Sequence, residues 1–287
     1  MVSGNTTIGV SLNALFVVIN HKPNQEEKKN TAQTAALKWI NKRGVRTRAT
    51  KGEIGVIYVT GDTHGTIDIH KLNSKNFPEG RTLTKDDYVI ICGDFGFVWD
   101  GGAEDKWWLN WLASKPWTTL FVDGNHENHD MLEQMEVTEW HGGKVHKINE
   151  SVVHLMRGQV YEINGKKWFT FGGAKSQDQM VRVEGRDWWA GEMASEQEYE
   201  ESVRNLAANG WTVDYVVTHC APTRTMNDLG FWWYQPDRMT NFLDYSILER
   251  LKFKCWFFGH YHKDVVVEGS PSDGYMIAIY REKWKIE

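Results

Sequence analysis

Three cysteines in 287 residues leave little room for disulfide or thiolate chemistry. Cys92, Cys220 and Cys255 are odd in number and far apart. No disulfide framework or Cys-x-x-Cys zinc site follows from them, and each sits in or beside an apolar run, where a small core side chain fits. Long apolar runs are missing too. No window approaches the roughly 18 residues needed to span a bilayer. Ile8–Ile19 is apolar enough for a leader, but no basic segment precedes it, and His21-Lys22-Pro23 follows in place of a small-residue cleavage site. A cytoplasmic protein with no membrane partner is expected. The net charge is −5, with both signs interspersed. That excludes a broad basic surface for nucleic acid, though not phosphate chemistry at a metal. The chain also lacks internal repeats and low-complexity tracts.

What is present suits a soluble globular protein with a sizeable core: 41% hydrophobic and 25% charged residues. The fifteen tryptophans are unusual, and several are paired: Trp107–Trp108, Trp188–Trp189 and Trp232–Trp233. Residues 1–52 read as an extension to a domain covering 53–287. In the extension, Ile8–Ile19 has strand composition. Thr31–Arg43 has helical composition and stops at Gly44, and Val45–Gly52 is a basic linker. Lys42, Arg43, Arg46, Arg48 and Lys51 are best read as a solvated charge run.

From residue 53 onward, strands alternate with helices. Val56–Thr60, Tyr88–Cys92 and Thr118–Val122 are predicted strands. Glu104–Ala113 is a helix that turns Trp107, Trp108, Trp111 and Leu112 onto the sheet. This β-α-β rhythm implies parallel pairing with right-handed crossovers. Val145–Ile148, Val152–Leu155, Gln159–Ile163 and Lys167–Phe171 then suggest a second, largely antiparallel sheet, with a hairpin at Asn164-Gly165. Gly172–Glu192 is too long for a mere connector and is a candidate for lining a site. A capping box at Ser195–Glu198 opens a helix ending at Asn209-Gly210. Val213–Thr218 is a strand, Thr240–Leu251 a helix, and Cys255–Phe258 another strand. Val265–Val267 and Tyr275–Tyr280 flank a Ser-Pro-Ser-Asp-Gly turn.

Five of these strands end in metal-ligating residue types. They lead into Gly61-Asp62-Thr63-His64-Gly65, Gly93-Asp94, Gly124-Asn125-His126-Glu127, His219, and Gly259-His260-Tyr261-His262. Strand carboxyl ends in one sheet share an edge, so residues two hundred positions apart can converge. Each histidine alone is more often structural; the ordered set points to metal binding. Asp, His and Asn ligands suit ions such as Mn, Fe or Zn better than Ca. The glycines at 61, 93, 124 and 259 are read as permitting tight turns after the strands.

These motifs, in this order and at strand ends, resemble the calcineurin-like metallophosphoesterases, from about Val56 to Lys263. The resemblance implies an α/β fold, a four-layer α/β/β/α sandwich of two mixed sheets, with two divalent metal ions (Mn, Fe, Zn, Ni or Co). It implies that Asp62, His64 and His262 bind the first ion and Asn125, His219 and His260 the second, with Asp94 bridging them. Hydroxide shared by the ions then attacks the phosphoester substrate, and His126 is the leaving-group acid.

The spelling also resembles the serine/threonine phosphoprotein phosphatases, but that branch carries Gly-Asp-x-Val-Asp-Arg-Gly. Here Gly93-Asp94-Phe95-Gly96-Phe97-Val98-Trp99-Asp100 lacks both the Asp and the Arg, and Asp100 is the displaced candidate to replace the Asp. The departure favours a small bacterial or phage-type member acting on a nucleotide or other small phosphoester. A phosphoprotein phosphatase and a non-catalytic scaffold are the alternatives; a scaffold is expected to have lost ligands. Arg182, Arg186 and Arg224 are candidate phosphate contacts, Arg182 foremost. Trp188, Trp189, Trp232 and Trp233 flank the same region, where packing is the simpler role and stacking on a base the sharper one.

Overall fold

The computed structural model describes residues 55–231, 233–268 and 274–286. The expected elements of residues 1–52, Trp232 and most of the Ser-Pro-Ser-Asp-Gly turn lie outside them. Among the described residues thirteen strands form two mixed sheets. The first contains β1 (Ile57–Thr60), β2 (Tyr88–Cys92), β3 (Thr118–Val122), β4 (Val137–Trp140), β5 (Gly143–Asn149), β6 (Val152–Leu155) and β13 (Lys283–Ile286), in the order β13-β1-β2-β3-β6-β5-β4. The second contains β7 (Gln159–Ile163), β8 (Lys166–Phe171), β9 (Tyr215–Thr218), β10 (Cys255–Phe258), β11 (Val265–Glu268) and β12 (Tyr275–Ala278), in the order β11-β12-β10-β9-β8-β7.

Alternation along the central strands explains the layering. Ile57, Val59, Ile90 and Cys92 meet Val217, Cys255 and Phe257 between the sheets. Their neighbours Tyr58, Val89 and Ile91 face an outer layer with Ile69, Leu112 and Trp117. Trp256 and Phe258 face the other outer layer, with Leu206 and Leu243. Strands covered on both faces read as unbroken apolar runs, which is why these were conspicuous in the sequence. Asn164 and Gly165 have φ of 54° and 67°, the pair of positive values a type I′ hairpin turn requires.

Sheet membership differs from the expectation. Val145–Ile148 and Val152–Leu155 do not start a new sheet. β6 pairs parallel with β3, and β5 and β4 extend the first sheet antiparallel. The second sheet begins at β7, and its centre, β8-β9-β10-β12, is parallel. Residue pattern identifies a strand but not its sheet. The helix expected at Thr240–Leu251 starts earlier, at Arg238, where the Asp237 side chain caps Met239 and Thr240; from Phe242 to Leu248 it is π-helical. In α1 (Ala103–Ala113) Leu112 is buried, but Trp107 is 57% exposed and does not pack on the sheet.

Candidate metal centre

Register brings the strand ends level. Thr60 pairs with Ile91 and Cys92 with Val122 in one sheet; Thr218 pairs with Phe258 in the other. The residues that follow meet at the edge shared by both sheets, not at one sheet's edge as expected. Two glycines there serve space more than turning. A Cβ on Gly124 would fall 2.1 Å from Asp94 Oδ1, and one on Gly259 would fall 2.0 Å from Asp62 Oδ1. Of the four motif glycines only Gly93 has positive φ (92°), so the tight-turn reading fails for Gly61, Gly124 and Gly259. The left-handed backbone sits instead on the functional types: His64, Asp94, His260 and His262 have φ of 43°, 47°, 66° and 50°. Such conformations persist when the surroundings enforce them, and they aim side chains that a relaxed turn would scatter.

Asp62, His64, Asp94 and His262 offer ligand atoms all within 4.8 Å of one another. His64 Nε2 lies 3.2 Å from Asp94 Oδ2 and 3.2 Å from His262 Nε2, and His262 Nε2 lies 3.2 Å from Asp62 Oδ2. On the opposite side of Asp94, Oδ1 is 3.3 Å from His219 Nε2, which is 3.2 Å from Asn125 Oδ1. His260 donates its backbone N–H to Asp62 Oδ2 at 3.0 Å, and its ring meets that of His219 edge-on at 5.0 Å between centroids.

The surroundings leave the right atoms facing inward. His64 Nδ1 contacts Asp68 at 2.8 Å, and His219 Nδ1 donates to the Cys92 carbonyl at 2.8 Å, so both Nε2 atoms point at the cluster. Asp62 and Asp94 are buried, which opposes ionisation, yet the neighbouring histidines hold both carboxyls below their usual range. Burial likewise opposes protonation of His64 and His219, but Asp94 and Asp62 override it and push them up to about 9 and about 10. The cluster thus draws in positive charge, and its mixed oxygen and imidazole donors fit borderline divalent ions.

His126 lies over this centre, its ring 5.6 Å from that of His64 and its backbone N–H donating to Asp94 Oδ1 at 2.9 Å. Arg182 reaches it from the loop after β8, with Nη1 3.3 Å from His126 Nδ1. The other two arginines are placed elsewhere. Arg186 is exposed and pairs with Asp187; Arg224 pairs with Asp244 and Glu249. Both are held by local carboxylates, as Arg182 itself is by Asp178, 2.7 Å from its Nε. Asp100 is exposed and accepts from Gly102 N–H, which gives no support to a role beside His126. Trp189 is buried edge-on against Trp99 at 5.0 Å, while Trp233 is 51% exposed.

Several residues of the site have no role in the sequence reading, Glu127 among them although it stands in the Gly124–Glu127 motif. Asp68 orients His64, a carboxylate four residues on that the motif reading passed over. Lys71 Nζ donates to the carbonyls of Gly61, Asp62 and Tyr280 at 2.8, 2.6 and 2.6 Å. Burial pushes it down to about 8. Glu127 is fully buried and accepts from the N–H groups of Phe95 and Gly124, tying two motif loops together. Ser176 accepts from Asn125 Nδ2 at 3.1 Å.

The family model for calcineurin-like phosphoesterase matches residues 55–264. No curated protein matches the chain. Among solved structures, it is similar to the phosphopantetheinyl hydrolase of Mycobacterium tuberculosis at 15% identity, over 80% of this chain and 90% of that one, with a TM-score of 0.37. It is also similar to a putative 5′-nucleotidase of Staphylococcus aureus at 13% identity, over 80% of this chain and 50% of that one, with a TM-score of 0.42.

Proposed function

The chain belongs to the calcineurin-like phosphoesterases, and from that premise we propose that it hydrolyses a phosphomonoester or phosphodiester of a nucleotide or other small molecule, using two divalent ions (Mn, Fe, Zn, Ni or Co). The observation carrying this reading is the two-sided placement of Asp94. One oxygen faces His64 within the Asp62–His64–His262 group, and the other faces His219, which in turn contacts Asn125. Asp62, His64 and His262 would hold one ion, Asn125, His219 and His260 the other, and Asp94 both. When bound, the ions lower the pKa of water and offset charge on the phosphoryl oxygens.

The chain's own groups complete the chemistry. An arginine can only donate, so its contact makes His126 Nδ1 the acceptor and leaves the neutral ring's proton on Nε2. Burial lowers the His126 pKa, and Arg182, His64 and His219 lower it further. A bound phosphoester acts in the opposite sense, so substrate itself favours the protonated, donating form. Arg182 would serve both His126 and a phosphoryl oxygen. The Asp100 geometry gives the phosphoprotein phosphatase reading no support. Among the described residues no helix is long and apolar enough to cross a membrane. The buried free cysteines are consistent with the cytoplasm as the compartment.

The test is turnover of p-nitrophenyl phosphate, bis-p-nitrophenyl phosphate and a phosphopeptide, after chelation and with each metal restored. Activity on the first two that vanishes on chelation and returns with metal supports the proposal. Turnover indifferent to chelation, or absent with every ion, sinks it. His126→Asn should depress kcat more for poor leaving groups than for good ones; an equal loss removes the acid role.

A further inference from the structure

The loop after β8 is more than a carrier for Arg182. Glu192 is fully buried at its far end, and its carboxylate accepts from Ser176 N at 2.9 Å, from Ser176 Oγ at 2.7 Å, and from Gln179 Nε2. Ser176, 2% exposed, spends its only hydroxyl proton on that carboxylate. Its Oγ can then only accept in the direction of Asn125, and Asn125 Nδ2 donates to it at 3.1 Å. Directionality along this chain decides which end of the Asn125 amide faces the centre. With Nδ2 committed to Ser176, Oδ1 is left toward His219. An amide turned the other way would present an NH2 group, which cannot ligate a cation.

Resting on the two-ion reading, we propose that Ser176 and Glu192 are positioning residues for the second ion. They fix the ligating orientation of Asn125 from outside the coordination sphere. The arrangement is built into the fold: Arg157 Nη2 donates to the carbonyls of Gly191 and Glu192 at 2.8 and 3.3 Å, and Gly173 N donates to the Asp123 carbonyl at 2.8 Å. Both ends of the loop are therefore anchored beside β3, the strand that presents Asn125. Partners of this kind typically govern about 10–100-fold in metal affinity. Selectivity is the distinguishing property, because nothing in the relay touches Asp62, His64 or His262. One loop would thus set both a substrate contact, through Arg182, and the second ion, through Ser176.

The experiment is stepwise Mn(II) binding to the chelated full-length protein, followed by calorimetry and by the EPR signal of the coupled ion pair. In Ser176→Ala one of the two binding steps should lose about 10–100-fold in affinity. The other step should hold. Ser176→Cys keeps the volume and loses most of the acceptor strength, so it carries the same prediction if the alanine variant does not fold. Glu192→Gln keeps one acceptor oxygen and should fall between wild type and Ser176→Ala. Unchanged binding in these variants, or equal weakening of both steps, overturns the proposal while leaving the phosphoesterase reading intact. A wild-type protein that takes up no second ion overturns both, and its lack of metal-dependent turnover would identify the shared premise as the failure.

Discussion

Two clusters of histidines and carboxylates meet where β3 ends, and they differ in whether a cation is built in. On one side is the centre formed by Asp62, His64, Asp94, His219 and His262. On the other, Asp123 is ringed by His129, His146, His154 and Arg157. Arg157 grips Asp123 Oδ2 through Nε at 2.9 Å and Nη2 at 2.5 Å, and His154 Nε2 lies 3.1 Å from Oδ1. With its charge answered, this cluster leaves His129 and His146 neutral. Burial foremost, helped by Arg157, pushes His129 down to about 3; burial and His154 push His146 down to about 4. Among the described residues no arginine pairs with Asp62 or Asp94, and there His64 and His219 are driven up to about 9 and about 10. The contrast lies in His64 and His219, which touch Asp94, against His129 and His146 around an arginine-bound Asp123; His260, which burial pushes down to about 3, does not share it. Carboxylates gripped by no arginine, with Lys71 spent on backbone carbonyls, mark the cluster that should bind a cation.

The sharpest break is Arg157→Met. Leaving Asp123 buried and unpaired should cost about 3–5 kcal/mol of stability, measured by urea unfolding, while the rise in Tm on adding Mn(II) survives in whatever protein remains folded. Asp94→Asn should do the converse. The Tm rise should disappear and kcat/KM should fall at least about 10²-fold, the scale of losing one pre-placed charge contact in a reaction centre. If both variants lost stability alike and responded to Mn(II) alike, the distinction between the clusters would be empty. Asp68→Asn acts one shell out and should weaken Mn(II) binding by about 10–100-fold with the ligands intact.

The smallest effect concerns pH. His129 and His146 have folded pKa values of about 3 and about 4, below the ordinary value of about 6.5, so the unfolded chain binds more protons between about 6.5 and 3. Their contribution is complete above that window and is lost as pH falls through it. The metal-free centre has the opposite sign: the contributions of His64 and His219 are complete below about 6.5 and are lost as pH rises through about 9 to 10. Unfolding curves of chelated protein across pH should show both flanks, and a His146→Gln variant should soften only the acid one.

Legibility of the site follows the same division. Asp62, Asp94, Asn125, His219 and His260 each stand within a few residues of an apolar run, so their convergence could be argued from strand ends alone. Ser176 stands 51 positions from Asn125, and Lys71 209 positions from Tyr280. Contacts made only by tertiary folding leave no local pattern. Arg182 stood out as a cation in an over-long loop, whereas nothing in the sequence foretold that Arg224 would be consumed by Asp244. Composition identifies strands, but neither the half-exposed β5 nor the fully buried β6 carries a pattern that says which sheet it joins.

The central claim is that Asp94 serves two ions at once, and Mn(II) stoichiometry followed in parallel with turnover of bis-p-nitrophenyl phosphate tests it most directly. The account predicts two equivalents bound per chain, a spin-coupled EPR spectrum, and turnover that tracks occupancy of the second site. A single equivalent with full activity, or activity that persists when both ions are removed, would contradict it.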